Sequence, residues 1–233
     1  MDFSKIERMF DFSFIFNQGI ALDFLSGIGT TLFIALIGVI IGVILGLFLA
    51  IGKLLGHKFT RGLCTIYINF VRCTPLLVQL FMIHYVPPTL SLALFDTVII
   101  MNPFVSAIIA VGLNSAAYVA EIFRAGILSV DKGQFEAARS LGFNYKKTLK
   151  LIIVPQATKN ILPALGNEFT SVIKETAIVS IIGAKDIMFY ANQIRNIEFN
   201  PFPPLFMAAC IYFVIVYTLI QLVNLLERKL NND

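Results

Sequence analysis

Gln134-Phe135-Glu136-Ala137-Ala138-Arg139-Ser140-Leu141-Gly142 is followed, after nine intervening residues, by Ile152-Ile153-Val154-Pro155. The stretch is polar and helix-forming, and it stands between two long hydrophobic segments of a chain that otherwise belongs in lipid. Of the 233 residues, 58% are hydrophobic and 14% charged. Ordinary soluble domains carry about 25% charged residues, and apolar runs of about 20 residues are too long for the core of a soluble domain. A membrane protein needs a polar helical insert of this kind where a soluble partner drives its work. The plainer reading is an amphipathic surface helix joining two spans.

The remaining composition excludes several classes. The net charge of +4 would suit nucleic acid, but the basic residues follow a membrane topology instead. The nearest approach to a phosphate-binding loop, Gly46 to Gly52-Lys53-Leu54, has the wrong spacing and lacks the hydroxyl, so the chain brings no ATPase of its own. Cys64, Cys73 and Cys210 are scattered and odd in number, which suggests small apolar fillers and neither a disulfide framework nor a metal site. His57 and His84 have no partner pattern for catalysis. The first residues do not read as a cleaved signal. Phe3, Ile6, Phe10, Phe14 and Ile15 recur at near-helical spacing among polar residues, which predicts an interfacial segment over residues 1–24 leading into a transmembrane unit over 25–233.

Five spans are expected: about Ile28 to Leu54, Leu63 to Val86 (ending at Pro87-Pro88), Pro103 to Leu128, Asn160 to Ile182, and Pro204 to Leu226. At about 1.5 Å per residue each can cross a hydrocarbon core of about 30 Å. The expected fold class is therefore an all-α membrane protein with five transmembrane helices. Lysine and arginine counts set direction. Lys53, Lys58 and Arg61 lie in the first loop, and Arg124, Lys132, Arg139, Lys146, Lys147, Lys150 and Lys159 in the third, with Arg228 and Lys229 at the end. The opposite side carries Lys5, Arg8, Lys185 and Arg195. This predicts an outside amino terminus, a cytoplasmic carboxyl terminus, and a cytoplasmic loop at about 129–159 that holds Glu136. No inverted repeat is visible of the kind that builds secondary transporters from one chain. Five helices are few to enclose a path across the membrane, so a second membrane subunit is implied.

Ionisable groups inside a span cost roughly 3 kcal/mol each and usually face a cavity or a partner. The fourth span has Glu168, Lys174 and Glu175, and Glu168, Ser171 and Glu175 share one helical face. The third offers Asn114, Tyr118 and Glu121 on one face, with Ser115 beside the first. Counted from the cytoplasmic ends, Asn114 and Glu175 both lie about 21–23 Å in, so antiparallel helices bring them to one depth. Two carboxylates and an amide there can hold an ammonium group by charge-assisted hydrogen bonds. The alternative is mutual neutralisation, with Lys174 paired to a carboxylate and Glu121 to Arg124.

Glu-Ala-Ala, three residues, Gly, nine residues, Ile-x-x-Pro resembles the coupling loop of ABC importer permeases, with Val154 where that pattern usually has Leu. Val71-Arg72-Cys73-Thr74-Pro75-Leu76-Leu77-Val78-Gln79-Leu80-Phe81, Leu113 to Glu121, Gly166-Asn167-Glu168-Phe169 and Lys174-Glu175-Thr176 are similar to stretches of polar amino acid permeases. Together these cover most of residues 25 to 185. The resemblance implies a His/Gln/Arg-type permease with the type I importer fold. It also implies two ATPase subunits that bind ATP and Mg on their own chains, a second permease, identical or paralogous, and an extracytoplasmic amino-acid-binding protein, in a bacterial plasma membrane. Carried over, the solute would meet Asn114, Glu168 and Glu175, with Gln79 and Ser171 beside them, although Gln79 reads equally well as an interhelical hydrogen-bonding residue. Glu136, Ala137, Ala138 and Gly142 would couple to the ATPase, Glu136 through the helix N-terminal turn or a basic group on the partner. Pro75 is expected to shape its helix. No metal site, cofactor or nucleic-acid partner is expected for this chain. The rival class is an ATP-independent channel or secondary transporter, which has no use for the coupling loop. A purely structural anchoring subunit leaves Glu168 and Glu175 unexplained.

Overall fold

The computed structural model of the protein describes residues 10–13 and 18–232, the last two by backbone alone, and no strand occurs among them. Helix α1 (Gln18–Leu55) is followed by α2 (Lys58–Cys73), α3 (Leu76–Phe95) and α4 (Pro103–Leu128). A short α5 (Lys132–Ser140) and a single turn, α6 (Tyr145–Thr148), lead through a π-helical segment (Leu149–Ile153) into α7 (Val154–Glu175). That helix tightens into a 3₁₀ stretch (Thr176–Ile182) before α8 (Ile187–Glu198) and α9 (Phe202–Asn232). Among the described residues, four helices are long and apolar enough to cross a membrane: Gln18–Leu55, Leu76–Phe95, Pro103–Leu128 and Phe202–Leu230. The expected fourth span, α7, falls outside that group, and it carries Lys159, Glu168, Lys174 and Glu175.

The expected second span is not one helix. Proline lacks the N–H that would continue a helix and pushes the residue before it into extended backbone. Thr74 (φ −114°, ψ 141°) and Pro75 (φ −62°, ψ 139°) are both extended, and the chain breaks there. Pro87 and Pro88, expected to end the span, lie inside α3. The helix runs on through them, and just beyond, the Thr89 hydroxyl donates to the Tyr85 carbonyl (2.9 Å) and Ser91 to that of Pro88 (2.9 Å). It ends at Asp96, in the left-handed region at φ 51°.

At the amino end, Phe3, Ile6, Phe14 and Ile15 of the expected interfacial helix lie outside the described residues. Residues 18–24 are the first turns of α1, and Phe24 is buried with Ile187, Ala191 and Ile194 of α8. Phe10 meets Phe202 edge to face, with centroids 5.1 Å apart.

Helices α1 and α4 run parallel and touch through small residues. A Cβ on Gly38 would stand 2.6 Å from Val111, one on Gly42 2.7 Å from the Ser115 hydroxyl, and one on Gly46 2.8 Å from Val119. Three glycines four residues apart let the backbones approach closely, which drives helix pairing where lipid removes the hydrophobic contrast. Helix α7 runs antiparallel to α4, as Ile161 against Gly126 and Glu168 against Ser115 show. Ile34, Leu80, Val111, Ile173 and Val179 form the central core. Outside the spans, Asp186 is fully buried at the start of α8. It caps that helix by accepting from the Phe189 N–H (2.8 Å) and receives the Tyr212 hydroxyl at 3.4 Å.

Candidate solute cavity and coupling helix

The break at Thr74–Pro75 exposes carbonyls that a continuous helix would have used, and in an apolar environment they need donors. Gln79 supplies them. Its Nε2 donates to the carbonyls of Val71 (2.9 Å) and Thr74 (3.1 Å) and to the Thr74 hydroxyl (3.0 Å). Its Oε1 accepts from Asn114 Nδ2 at 3.2 Å. Only 9% exposed, Gln79 is the brace of the break, the hydrogen-bonding alternative of its two readings. Tyr67 adds a bond from its hydroxyl to the Leu113 carbonyl (2.8 Å), fixing α2 to α4.

Against this break lies a cavity of about 400 Å³, within the range of about 300–1,000 Å³ typical of small-molecule sites. Arg72, Thr74 and Pro75 line it from one side, Asn114 and Tyr118 from α4, and Glu175 from the end of α7. The two residues expected at a common depth, Asn114 and Glu175, meet there. Glu168 does not line the cavity; its Oε1 accepts from the Ser115 hydroxyl at 3.0 Å. Ser171 is half-buried and also stands apart from the lining. Pro75 both shapes its helix and lines the cavity.

Arg72 is a lining residue outside the expected set. It stands inside an expected span, where any charge points to a cavity or a partner. The guanidinium lies over the Tyr118 ring, 5.4 Å from its centroid. Its other neighbour is Glu121, the centre of an ion cluster: Lys53 Nζ donates to one oxygen, Arg124 Nε to the other at 2.8 Å, and Arg72 stands 3.9 Å from the latter. The expected Glu121–Arg124 pair is present, whereas Lys174 forms no salt bridge among the described residues.

At the basic end of the bundle, α5 is a well-capped polar helix. The Asp131 side chain caps its start by accepting from the Gly133 N–H (2.6 Å). Its end closes with bonds from Phe143 N–H to the Ala138 carbonyl (3.1 Å) and from Gly142 N–H to that of Arg139 (3.0 Å). This pattern needs a left-handed residue, and Gly142 supplies it at φ 81°. Two details correct the expected roles. Glu136 sits mid-helix and exposed, so Asp131 and not Glu136 fixes the first turn. Ala138 is 1% exposed and faces its own chain. Glu136, Ala137 and Gly142 are exposed, and Leu141, 77% exposed, is an apolar knob beside them.

Between this helix and α7 the backbone widens to a π turn, with Val154 N–H bonded to the Leu149 carbonyl. Pro155 follows directly; its ring crowds the carbonyl four residues back and it offers no N–H, which favours such a widened turn.

Comparison with known proteins agrees with this architecture. Residues 38–232 match the family described as binding-protein-dependent transport system inner membrane component. The chain is 41% identical over 209 residues to the arginine transport system permease protein of Bacillus subtilis (strain 168), covering 90% of this chain and 93% of that one. It is 37% identical over 206 residues to the L-cystine transport system permease protein of the same organism, covering 88% and 85%. Among solved structures it is similar to one described as an amino acid ABC transporter with histidines. That match has a TM-score of 0.83 and 44% identity over 90% of this chain and 94% of that one.

Proposed function

This chain belongs to the family of binding-protein-dependent transport system inner membrane components, and on that premise we propose that it is the permease subunit of an ATP-driven importer of polar amino acids. It is a transport subunit that performs no covalent chemistry. The observation that carries the reading is one continuous connection. A capped polar helix, Lys132–Ser140, projects at the basic end and leads through the π turn into α7, whose far end presents Glu175 to the cavity. Force applied to the polar helix therefore has a path to the wall of a solute site.

ATP and Mg belong to separate ATPase chains, which would seat on Glu136, Ala137, Leu141 and Gly142 at the cytoplasmic face. A second permease completes the pathway, and an extracytoplasmic binding protein delivers the solute. Five spans result if α2 with α3 counts as one broken crossing and α7 crosses despite its charges. The amino terminus then lies outside and the carboxyl terminus in the cytoplasm of a bacterial plasma membrane.

Glu175 and Asn114 would take the solute's ammonium group. Two carboxylates at one site would favour a cationic side chain, but of Glu168 and Glu175 only Glu175 lines the cavity. Relatives are named for glutamine, arginine and L-cystine, which share an α-ammonium and an α-carboxylate, so the cavity is better matched to those common groups.

The test is coupling. In vesicles holding the assembled importer, uptake of labelled amino acid should require ATP. Gly142→Asp should lose uptake while keeping ATP hydrolysis, because the left-handed position strains any side chain and an added charge would face the ATPase. Wild-type uptake by this variant would remove the coupling assignment.

A further inference from the structure

Glu121 is held by more positive charge than it needs. Lys53 from the last turn of α1 and Arg124 from α4 each hydrogen-bond one of its oxygens. The third cation, Arg72, approaches only to 3.9 Å, beyond hydrogen-bond reach, and its side chain is 43% exposed against 15% for Glu121. One carboxylate already satisfied on both oxygens leaves Arg72 a surplus charge. The same guanidinium forms part of the cavity wall that includes Glu175. A planar guanidinium fork matches a carboxylate with two parallel hydrogen bonds, an arrangement Arg72 does not have with Glu121.

We infer that Arg72 is a cation shared between Glu121 and the α-carboxylate of the solute, so that it both selects zwitterionic ligands and signals their arrival to the basic end of the bundle. This rests on the cavity being the solute site. Arg72 and Glu175 supply opposite charges in one cavity, complementary to a molecule that carries a carboxylate and an ammonium on neighbouring atoms. Turning Arg72 toward the ligand gives up its ion pair with Glu121 but leaves that carboxylate its two closer partners. It does remove a contact between α2 and α4 just beside the Thr74–Pro75 break. Filling the cavity thus loosens the tie between the broken crossing and the α4 helix that packs on α7.

The experiment uses the complete importer in lipid nanodiscs, with L-arginine and L-glutamine as probes beside L-argininamide and L-glutaminamide, which keep the ammonium and lose the carboxylate charge. The wild type should bind each acid about ten- to hundred-fold more tightly than its amide, the range for one charge-assisted hydrogen bond. Arg72→Gln should lower affinity for the acid by that factor and leave the amide unchanged. Glu121→Gln should act in the opposite direction, raising affinity for the acid alone by freeing Arg72; it also serves if Arg72→Gln does not assemble. Equal loss for acid and amide in Arg72→Gln, or no gain for the acid in Glu121→Gln, would make Arg72 a structural clamp and overturn the inference. If no probe binds the wild type or protects Cys73, at the cavity wall, from maleimide, the cavity is not the solute site. That result removes the proposed solute site and this inference together, whereas a failure of Arg72 alone leaves the site standing.

Discussion

Glu168 and Glu175 share a helical face, yet their surroundings separate them. Glu175 lines the cavity with Asn114, and Glu168 turns to the Ser115 hydroxyl across the α4–α7 contact. Their substitutions should therefore behave differently. Losing a charge-assisted hydrogen bond to a bound ammonium costs about 1.5–3 kcal/mol, or about ten- to hundred-fold in affinity. Glu175→Gln in the purified importer should show that loss with its melting temperature preserved. Glu168→Gln retains an acceptor for Ser115 and should leave affinity near the wild-type value, with its effect appearing in thermal stability. Wild-type affinity in Glu175→Gln would retire the proposed ammonium site.

At the scale of elements, close approach and capping set the architecture. The Gly38, Gly42 and Gly46 stripe seats α1 on α4, and at Gly42 even a methyl group meets Ser115. Gly42→Ala should destabilise the bundle by about 1–3 kcal/mol, the usual range for overpacking. Gly29→Ala in the same helix, where a Cβ meets nothing within 4 Å, should be neutral or gain up to about 1 kcal/mol of helix propensity. Thermal melts of the two variants side by side separate close packing from propensity. At the head of α8, burial pushes the Asp186 carboxyl up to about 7 from 3.8. A raised folded-state pKa means that the protonated form is favoured by folding. The stabilising contribution is then complete below about pH 4 and is lost as pH rises through about 7. The melting temperature should fall between pH 5 and pH 8, and Asp186→Asn, which keeps a capping oxygen for Phe189, should flatten that fall. A pH dependence identical in the variant would assign the effect to other groups.

For the whole molecule, orientation decides which end would meet the proposed ATPase. The segment from Pro87 to Asn102, the end of α3 and the connection after it, contains no Lys or Arg, and residues 129–159 are rich in them. With Cys64, Cys73 and Cys210 replaced, a cysteine at Thr97 should label from outside intact cells and one at Asn144 should not. The reverse pattern would invert the topology and separate α5 from any cytoplasmic motor. Length, apolarity and charge placement were enough to read an all-helical membrane chain, its polar helical insert with Gly142 at the turn, and the shared depth of Asn114 and Glu175. Each of these depends on spacing along one element or on the sign of a loop. The sequence did not determine which residues close the cavity. That required the Thr74–Pro75 break to be braced by Gln79, Arg72 to be the spare cation of the Glu121 cluster, and Glu168 to be turned toward Ser115. Soluble helices announce their buried face by an apolar stripe, but helices in lipid are apolar nearly all round. Their rotation about their own axes is decided by close approach and by polar partners on other elements, which only the assembled bundle supplies.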